Sequence, residues 1–195
     1  MDRRLPRSFY LRTDVVGIAR ELLGMVLVTR FDGAHTAGII TETEAYAGVG
    51  DRASHAFGGR RTARNAMMYA QGGTAYVYLC YGIHHLFNVV TNVRDVPHAV
   101  LVRAVVPVTG LEHMRKRRGT TSTLTTGGPG TLAQALGIRT AHNGMDLRGA
   151  EMCIEDHGLA PPDAAIIAGP RVGVEYAEVD ARLPYRFRAH IRTPA

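Results

Sequence analysis

Residues 74–92 read TAYVYLCYGIHHLFNVVTN. Two runs rich in Tyr, Val, Leu and Phe, Thr74–Gly82 and Ile83–Asn92, meet at Tyr81-Gly82, which predicts a pair of strands joined by a tight hairpin. Alternation along the first strand puts Tyr76, Tyr78 and Cys80 on one face and Val77, Leu79 and Tyr81 on the other. Tyr81 falls at the hairpin tip, where packing into a core least explains a large aromatic. An aromatic at an exposed tip is suited to stack on a base or wedge between base steps. A ring folded back on its own sheet is the competing reading.

The flanking sequence supplies more strands than crossover helices. Thr13-Asp14 reads as the N-cap of a helix carrying Val15, Val16, Ile18, Ala19, Leu22 and Leu23 on one face, with Gly24 placed to stop it. Met25–Phe31 reads as a strand, and Asp32-Gly33 as a turn into a second strand, Thr36–Tyr46. Ala99–Val108 is a further buried strand, followed by a helix over Leu111–Arg118. Gly119–Gly128, almost all Thr, Ser and Gly, is expected to be a mobile loop. Thr131–Leu136 reads as helical up to Gly137, and Met152–Glu155, Arg171–Ala177 and Tyr185–Ile191 as short strands. Hairpins outnumber parallel crossovers, so the expected fold is a single α+β domain over residues 1–195, with a mixed, mostly antiparallel sheet and surrounding helices.

Composition agrees with one domain. The 195 residues are 46% hydrophobic and 21% charged, enough to bury one core and too little for two large ones. The apolar stretch Val15–Val28 is interrupted by Arg20 and Glu21, which argues against a membrane span. The basic start MDRRLPRSFYLR is followed by no apolar core of export-signal length, so a cytoplasmic location is expected. Cys80 and Cys153 can form no disulfide framework and lack zinc-ribbon spacing. The net charge of +6 suits a polyanionic partner. Lys116 is the sole lysine among 23 basic residues, so the charge also fits the arginine usage of a GC-rich genome.

Three segments carry candidate chemistry. In Thr41-Glu-Thr-Glu-Ala-Tyr46, strand alternation places Glu42, Glu44 and Tyr46 on one face. Carboxylates beside an aromatic at a cleft can serve as general bases, because burial tunes their affinity for protons; a solvated strand face is the plain alternative. The irregular stretch Ala47–Asn65 is long for a simple connection. Its segment Gly58–Asn65, GGRRTARN, sets glycines beside Arg60, Thr62 and Arg64, a combination suited to phosphate contacts or to a solvated basic loop. The nine histidines form no metal signature, and His84 and His85 point to opposite strand faces. No phosphate-binding loop, dinucleotide fingerprint or serine elbow is present. Neither metal nor cofactor is expected.

Together these segments resemble the alkyladenine (3-methyladenine) DNA glycosylase family. The matching stretches are ITETEAY (40–46), DRASHAFGGRRTARNAMMY (51–69), GTAYVYLCYGIHHLFNVV (73–90), VLVRAVVP (100–107), GGPGTLAQALGI (127–138) and GPRVGVEYA (169–177). The resemblance implies a curved sheet with a protruding hairpin that intercalates into DNA. It implies that Glu44 activates water and that Arg103 helps hold the carboxylate and water. Tyr46, His55 and Tyr78 would enclose an extruded purine, Asn88 would select against bases with an extra exocyclic group, and Tyr81 would fill the gap in the duplex. Arg60, Thr62 and Arg64 are the expected backbone contacts. Thr131 stands where the family commonly has lysine after G-P-G, and Arg52 and Ala63 replace common prolines.

The expected reaction is hydrolysis of the N-glycosidic bond of alkylated purines in duplex DNA, with the nucleotide flipped out of the stack. A positively charged alkylated base gains cation–π attraction between aromatic rings, about 0.5–2 kcal/mol per contact. With one lysine, on a basic helix, a Schiff-base lyase step is disfavoured. A monomer is expected, because the implied site is complete in one chain. A nucleic-acid-binding module without chemistry and an enzyme acting on free nucleosides are the alternatives.

Overall fold

The computed structural model describes residues 2–191. Its frame is a sheet of eight strands: β1 (Val26–Phe31), β2 (Ala34–Tyr46), β3 (Ala75–Cys80), β4 (His84–Thr91), β5 (His98–Thr109), β6 (Met152–Glu155), β7 (Ile167–Gly169) and β8 (Arg186–Arg188). The order is β3-β4-β5-β2-β1-β6, with β8 on β2 and β7 on β8. Each of these pairings is antiparallel. Four α-helices accompany it: α1 (Arg7–Tyr10), α2 (Val15–Glu21), α3 (Leu111–Arg118) and α4 (Pro129–Leu136). The expected single α+β domain is therefore the observed fold, and among the described residues no helix is long and apolar enough to cross a membrane.

Strand β2 is the spine. It pairs with β5 along most of its length, with β1 over its first half and with β8 over Glu42–Glu44. The β2–β5 ladder slips where Thr41 and then Arg103 lie outside the pairing. Such bulges bend a sheet and re-aim the extra side chain, here that of Arg103. On one face, α2 lies on β2, where the Thr43 hydroxyl donates to Ala19 O at 2.7 Å. Asp14 caps α2 by accepting from Gly17 N–H at 2.9 Å. The main core gathers Tyr10, Ile18, Leu22, Leu27, Ile39, Phe87, Leu132 and Phe187 between the sheet and helices.

The hairpin forms at the predicted place. Tyr81 and Gly82 both have positive φ, 50° and 74°, and Ile83 N–H donates to Cys80 O at 3.2 Å. Tyr81 is 92% exposed, with Ile83 exposed beside it. The hairpin base packs closely on α4: a side chain at Gly130 would meet the His84 ring at 2.9 Å.

One strand expectation fails. Arg171–Ala177 is a turn leading into 3-10 helix at Glu175–Arg182, and the strand lies upstream at Ile167–Gly169. Pro170 has no amide to donate, and Gly173 turns the chain at φ 71°. The Arg171 side chain is wholly buried rather than part of a ladder. In Tyr185–Ile191 only Arg186–Arg188 pairs. The Gly119–Gly128 loop has no regular structure and is tied at its end by the Thr126 hydroxyl, which donates to Val105 O at 2.6 Å.

Candidate active site

Strands β2, β3, β4 and β5, the α4 N-terminus and the loop after β7 surround a cavity of about 620 Å³. Its wall includes Tyr46, His55, Tyr76, Tyr78, Asn88 and Arg103, with Tyr81 at the rim. The alternation read from β3 places Tyr76, Tyr78 and Cys80 together on this wall, as expected.

The aromatic cluster is ordered by edge contacts. The His55 ring meets Tyr78 at 4.8 Å between centroids and 68° between planes, and Tyr76 lies 5.3 Å from Tyr78. His55 Nδ1 and the Tyr76 hydroxyl are hydrogen-bonded at 2.9 Å. Burial, with Arg64 and Arg60 nearby, holds the His55 pKa below that of a free imidazole, which favours the neutral ring. Asn88 is buried and donates from Nδ2 to Tyr76 O at 3.1 Å, which fixes its amide at the wall.

Glu44 lies immediately behind this wall and is 0% exposed. Its Oε1 accepts from Val172 N–H at 2.8 Å, and its Oε2 accepts from the Tyr46 hydroxyl at 2.9 Å. Arg103 Nη1 stands 3.4 Å from Oε2. Burial and then the charge of Glu44 push the Tyr46 hydroxyl well above its ordinary pKa, so it remains a donor. Arg103 also donates through Nε to Glu42 Oε1 at 2.9 Å, and Arg186 Nε donates to the same oxygen at 2.6 Å. Two carboxylates and two guanidinium groups thus balance one another, which lowers the cost of burying Glu44.

The arginine loop is organised by Asn65, the last residue of GGRRTARN, whose amide turns inward. Asn65 is buried; its Nδ2 donates to His55 O at 2.8 Å and Arg60 O at 2.9 Å, while its Oδ1 accepts from Thr62 N–H and the Thr62 hydroxyl. Arg60 and Thr62 are exposed on that loop. Arg64 sits differently: it lines the cavity, stands 5.4 Å over the Tyr78 ring and donates to Leu79 O. At the opposite rim, Thr131 accepts from Gly128 N–H at 3.0 Å and donates to Gly128 O at 2.7 Å. Arg139 is paired with Asp32 at 2.8 Å.

Sequence inspection missed the wall residue Tyr176, whose hydroxyl donates to Ala53 O at 3.1 Å, and the pair Arg171–Asp51. Their signal was present in GPRVGVEYA and DRASHAF, but alternation along a supposed strand could not reveal it. Among the described residues, no group of three or more His, Cys, Asp or Glu side chains is placed to hold a metal ion.

The family model for methylpurine-DNA glycosylase (MPG) matches residues 8–192. A Chlamydia abortus protein provisionally named 3-methyladenine DNA glycosylase is 46% identical over 191 residues, covering 96% of this chain and 99% of its own. Similarly named proteins of Bacillus thuringiensis and Clostridium perfringens are 42% and 41% identical, and each alignment spans more than nine-tenths of both chains. With the match running through β2, the hairpin and the Arg171 loop alike, the chain belongs to the methylpurine-DNA glycosylase family.

Proposed function

We propose that this protein hydrolyses the N-glycosidic bond of alkylated purines in duplex DNA and leaves an abasic site. The observation that carries this function is a fully buried carboxylate, Glu44, held by two hydrogen-bond donors and the Arg103 guanidinium directly behind an aromatic-walled cavity. A damaged nucleotide rotates out of the stack into the cavity, because its glycosidic bond is out of reach inside the duplex. Tyr46, His55 and Tyr78 enclose the base, and Asn88 presents its fixed amide to the purine edge. A base made cationic by alkylation is both attracted to the ring faces and a ready leaving group.

As the bond to the base breaks, the sugar acquires oxocarbenium character. An ionised Glu44 stabilises that charge and takes a proton from the attacking water. Arg103 holds the carboxylate and water in place. Tyr81 fills the space left by the nucleotide, while Arg60, Thr62, Arg64 and the Gly130 N–H face the phosphates. Lys116 lies exposed on α3, outside the cavity wall, so it supplies no amine for a lyase step. The substrates within reach of this chemistry are 3-methyladenine and 7-methylguanine, with hypoxanthine and ethenoadenine as neutral candidates. The protein acts as a monomer on DNA in the cytoplasm.

Incubation with methylated duplex DNA, followed by assay of free base and abasic sites, tests the proposal. Wild-type protein releases base, and Glu44→Gln binds the duplex without releasing it. Binding without release by the wild type would instead identify a DNA-binding module. Equal release from free nucleosides and from duplex, with little salt dependence, would identify a nucleoside hydrolase.

A further inference from the structure

Arg171 and Asp51 form an ion pair whose side chains are 0% and 2% exposed. Arg171 Nη1 donates to Asp51 Oδ2 at 2.5 Å and Nη2 to Asp51 Oδ1 at 2.8 Å. The same two nitrogens donate to Ala45 O at 2.9 Å and Asp180 O at 3.2 Å. Asp51 is satisfied in turn, accepting also from Ala47 N–H at 2.9 Å and Ala53 N–H at 3.0 Å. The guanidinium carbon stands 4.9 Å from the Tyr46 ring and 5.3 Å from that of Tyr185.

The position of these contacts is what matters. Ala45, whose carbonyl Arg171 holds, lies between Glu44 and Tyr46 in the chain. Val172, the residue after Arg171, supplies the amide that Glu44 Oε1 accepts. One guanidinium therefore fixes the backbone on one side of the carboxylate and the donor on its other side. Asp51 extends the same anchor to the segment that carries Ala53 and His55. Burial alone would weaken the protonated form of Arg171, but the hydrogen bonds and charge of Asp51 outweigh it and raise the pKa. Lysine cannot reproduce this grip, because it lacks the planar fork that bonds a carboxylate through two nitrogens while reaching two carbonyls.

We infer that Arg171, locked by Asp51, is a positioning residue that sets the Val172 amide and the Tyr46 ring around Glu44 and thereby acts on the rate of base release rather than on DNA binding. This rests on the hydrolytic reading above. A plain structural staple would lower the fraction of folded protein and leave each folded molecule working at full speed.

The test is single-turnover base release from methylated duplex with protein in excess, where the rate constant and the amplitude are read separately. Affinity for a duplex containing a stable abasic-site analogue is measured alongside. Arg171→Met should slow the rate constant by about 100-fold, the effect expected of a misplaced reacting group, and Arg171→Lys by about 10-fold. Affinity for the analogue should remain within about threefold of wild type, consistent with a loss confined to positioning. Asp51→Asn, nearly isosteric, should behave like Arg171→Lys and keeps the test decisive if Arg171→Met fails to fold. Rate constants at the wild-type value, whatever the fraction of folded protein, would overturn the inference, as would losses of affinity that match the losses of rate. Absence of release by wild-type protein would refute the hydrolytic reading itself and this inference with it.

Discussion

Asn65 offers a sharp perturbation because its buried amide uses both ends. Asn65→Asp keeps the oxygen that receives Thr62 N–H at 2.7 Å, but it turns the donor facing His55 O and Arg60 O into a second acceptor. Two donated bonds are lost, about 1 kcal/mol each. A carboxylate oxygen is then held near two carbonyl oxygens in a site where Asn65 is almost fully buried. An uncompensated buried charge brings the expected cost to about 3–5 kcal/mol at neutral pH. Asn65→Ala loses all four bonds but buries no charge, and the freed groups lie on an exposed loop, so about 2 kcal/mol is expected. The pH dependence follows from linkage. Burial among carbonyls raises the folded-state pKa of the introduced carboxyl above its unfolded value of about 3.9. Its destabilisation is therefore complete above the folded pKa and fades as pH falls toward the unfolded one, because the protonated acid regains a donor. Urea unfolding of wild type and both variants at pH 7.5 and pH 4.5, with the wild-type denominator run at each pH, measures this directly. An Asn65→Asp variant less damaged than Asn65→Ala at pH 7.5, or equally damaged at both pH values, would refute the assignment of Nδ2 as a double donor.

Two further perturbations probe the hairpin and the pocket. Tyr81→Gly should leave stability nearly unchanged, since relief of a left-handed tyrosine at φ 50°, about 1 kcal/mol, is offset by the unfolded freedom of glycine; affinity for alkylated duplex should fall about 10- to 100-fold with the lost stacking, as read by equilibrium titration. The pKa values of His55, His98 and His142 are all lowered, chiefly by burial, so each takes up protons more readily when unfolded, and stability should fall as pH drops below about 6.5. Arg64→Gln removes one of the charges that disfavour the His55 imidazolium, so the His55 titration followed by NMR should move upward, and an unmoved midpoint would contradict the packing of Arg64 at the pocket.

The features legible in the sequence share one property: they follow from local alternation. A period of two along ITETEAY and TAYVYLC is enough to bring Glu44 to Tyr46 and Tyr76 to Tyr78, and the structure shows both pairs in contact. Turn chemistry likewise marks Tyr81-Gly82 without reference to the rest of the chain. What escaped depends on where strands slip and which distant segments meet. Arg103, assigned to Glu44 by the family resemblance and not by alternation, reaches it beside a slip in the β2–β5 ladder, and no residue in VLVRAVVP announces that slip. The Val172 amide reaches Glu44 across 128 positions, from a segment whose valines resemble a strand but whose proline, glycine and inward arginine make it a clasp. The division has a physical cause. A strand face is specified by its own residues, whereas the charge and geometry of a buried carboxylate are specified by whatever closes over it. In this chain Glu44 sits on a strand that sequence alternation describes well, yet two of its three partners come from outside that strand: the Arg103 guanidinium and the Val172 amide. The Glu44–Tyr46 face thus needed only local pattern, and the partners that close over the buried carboxylate required the assembled fold.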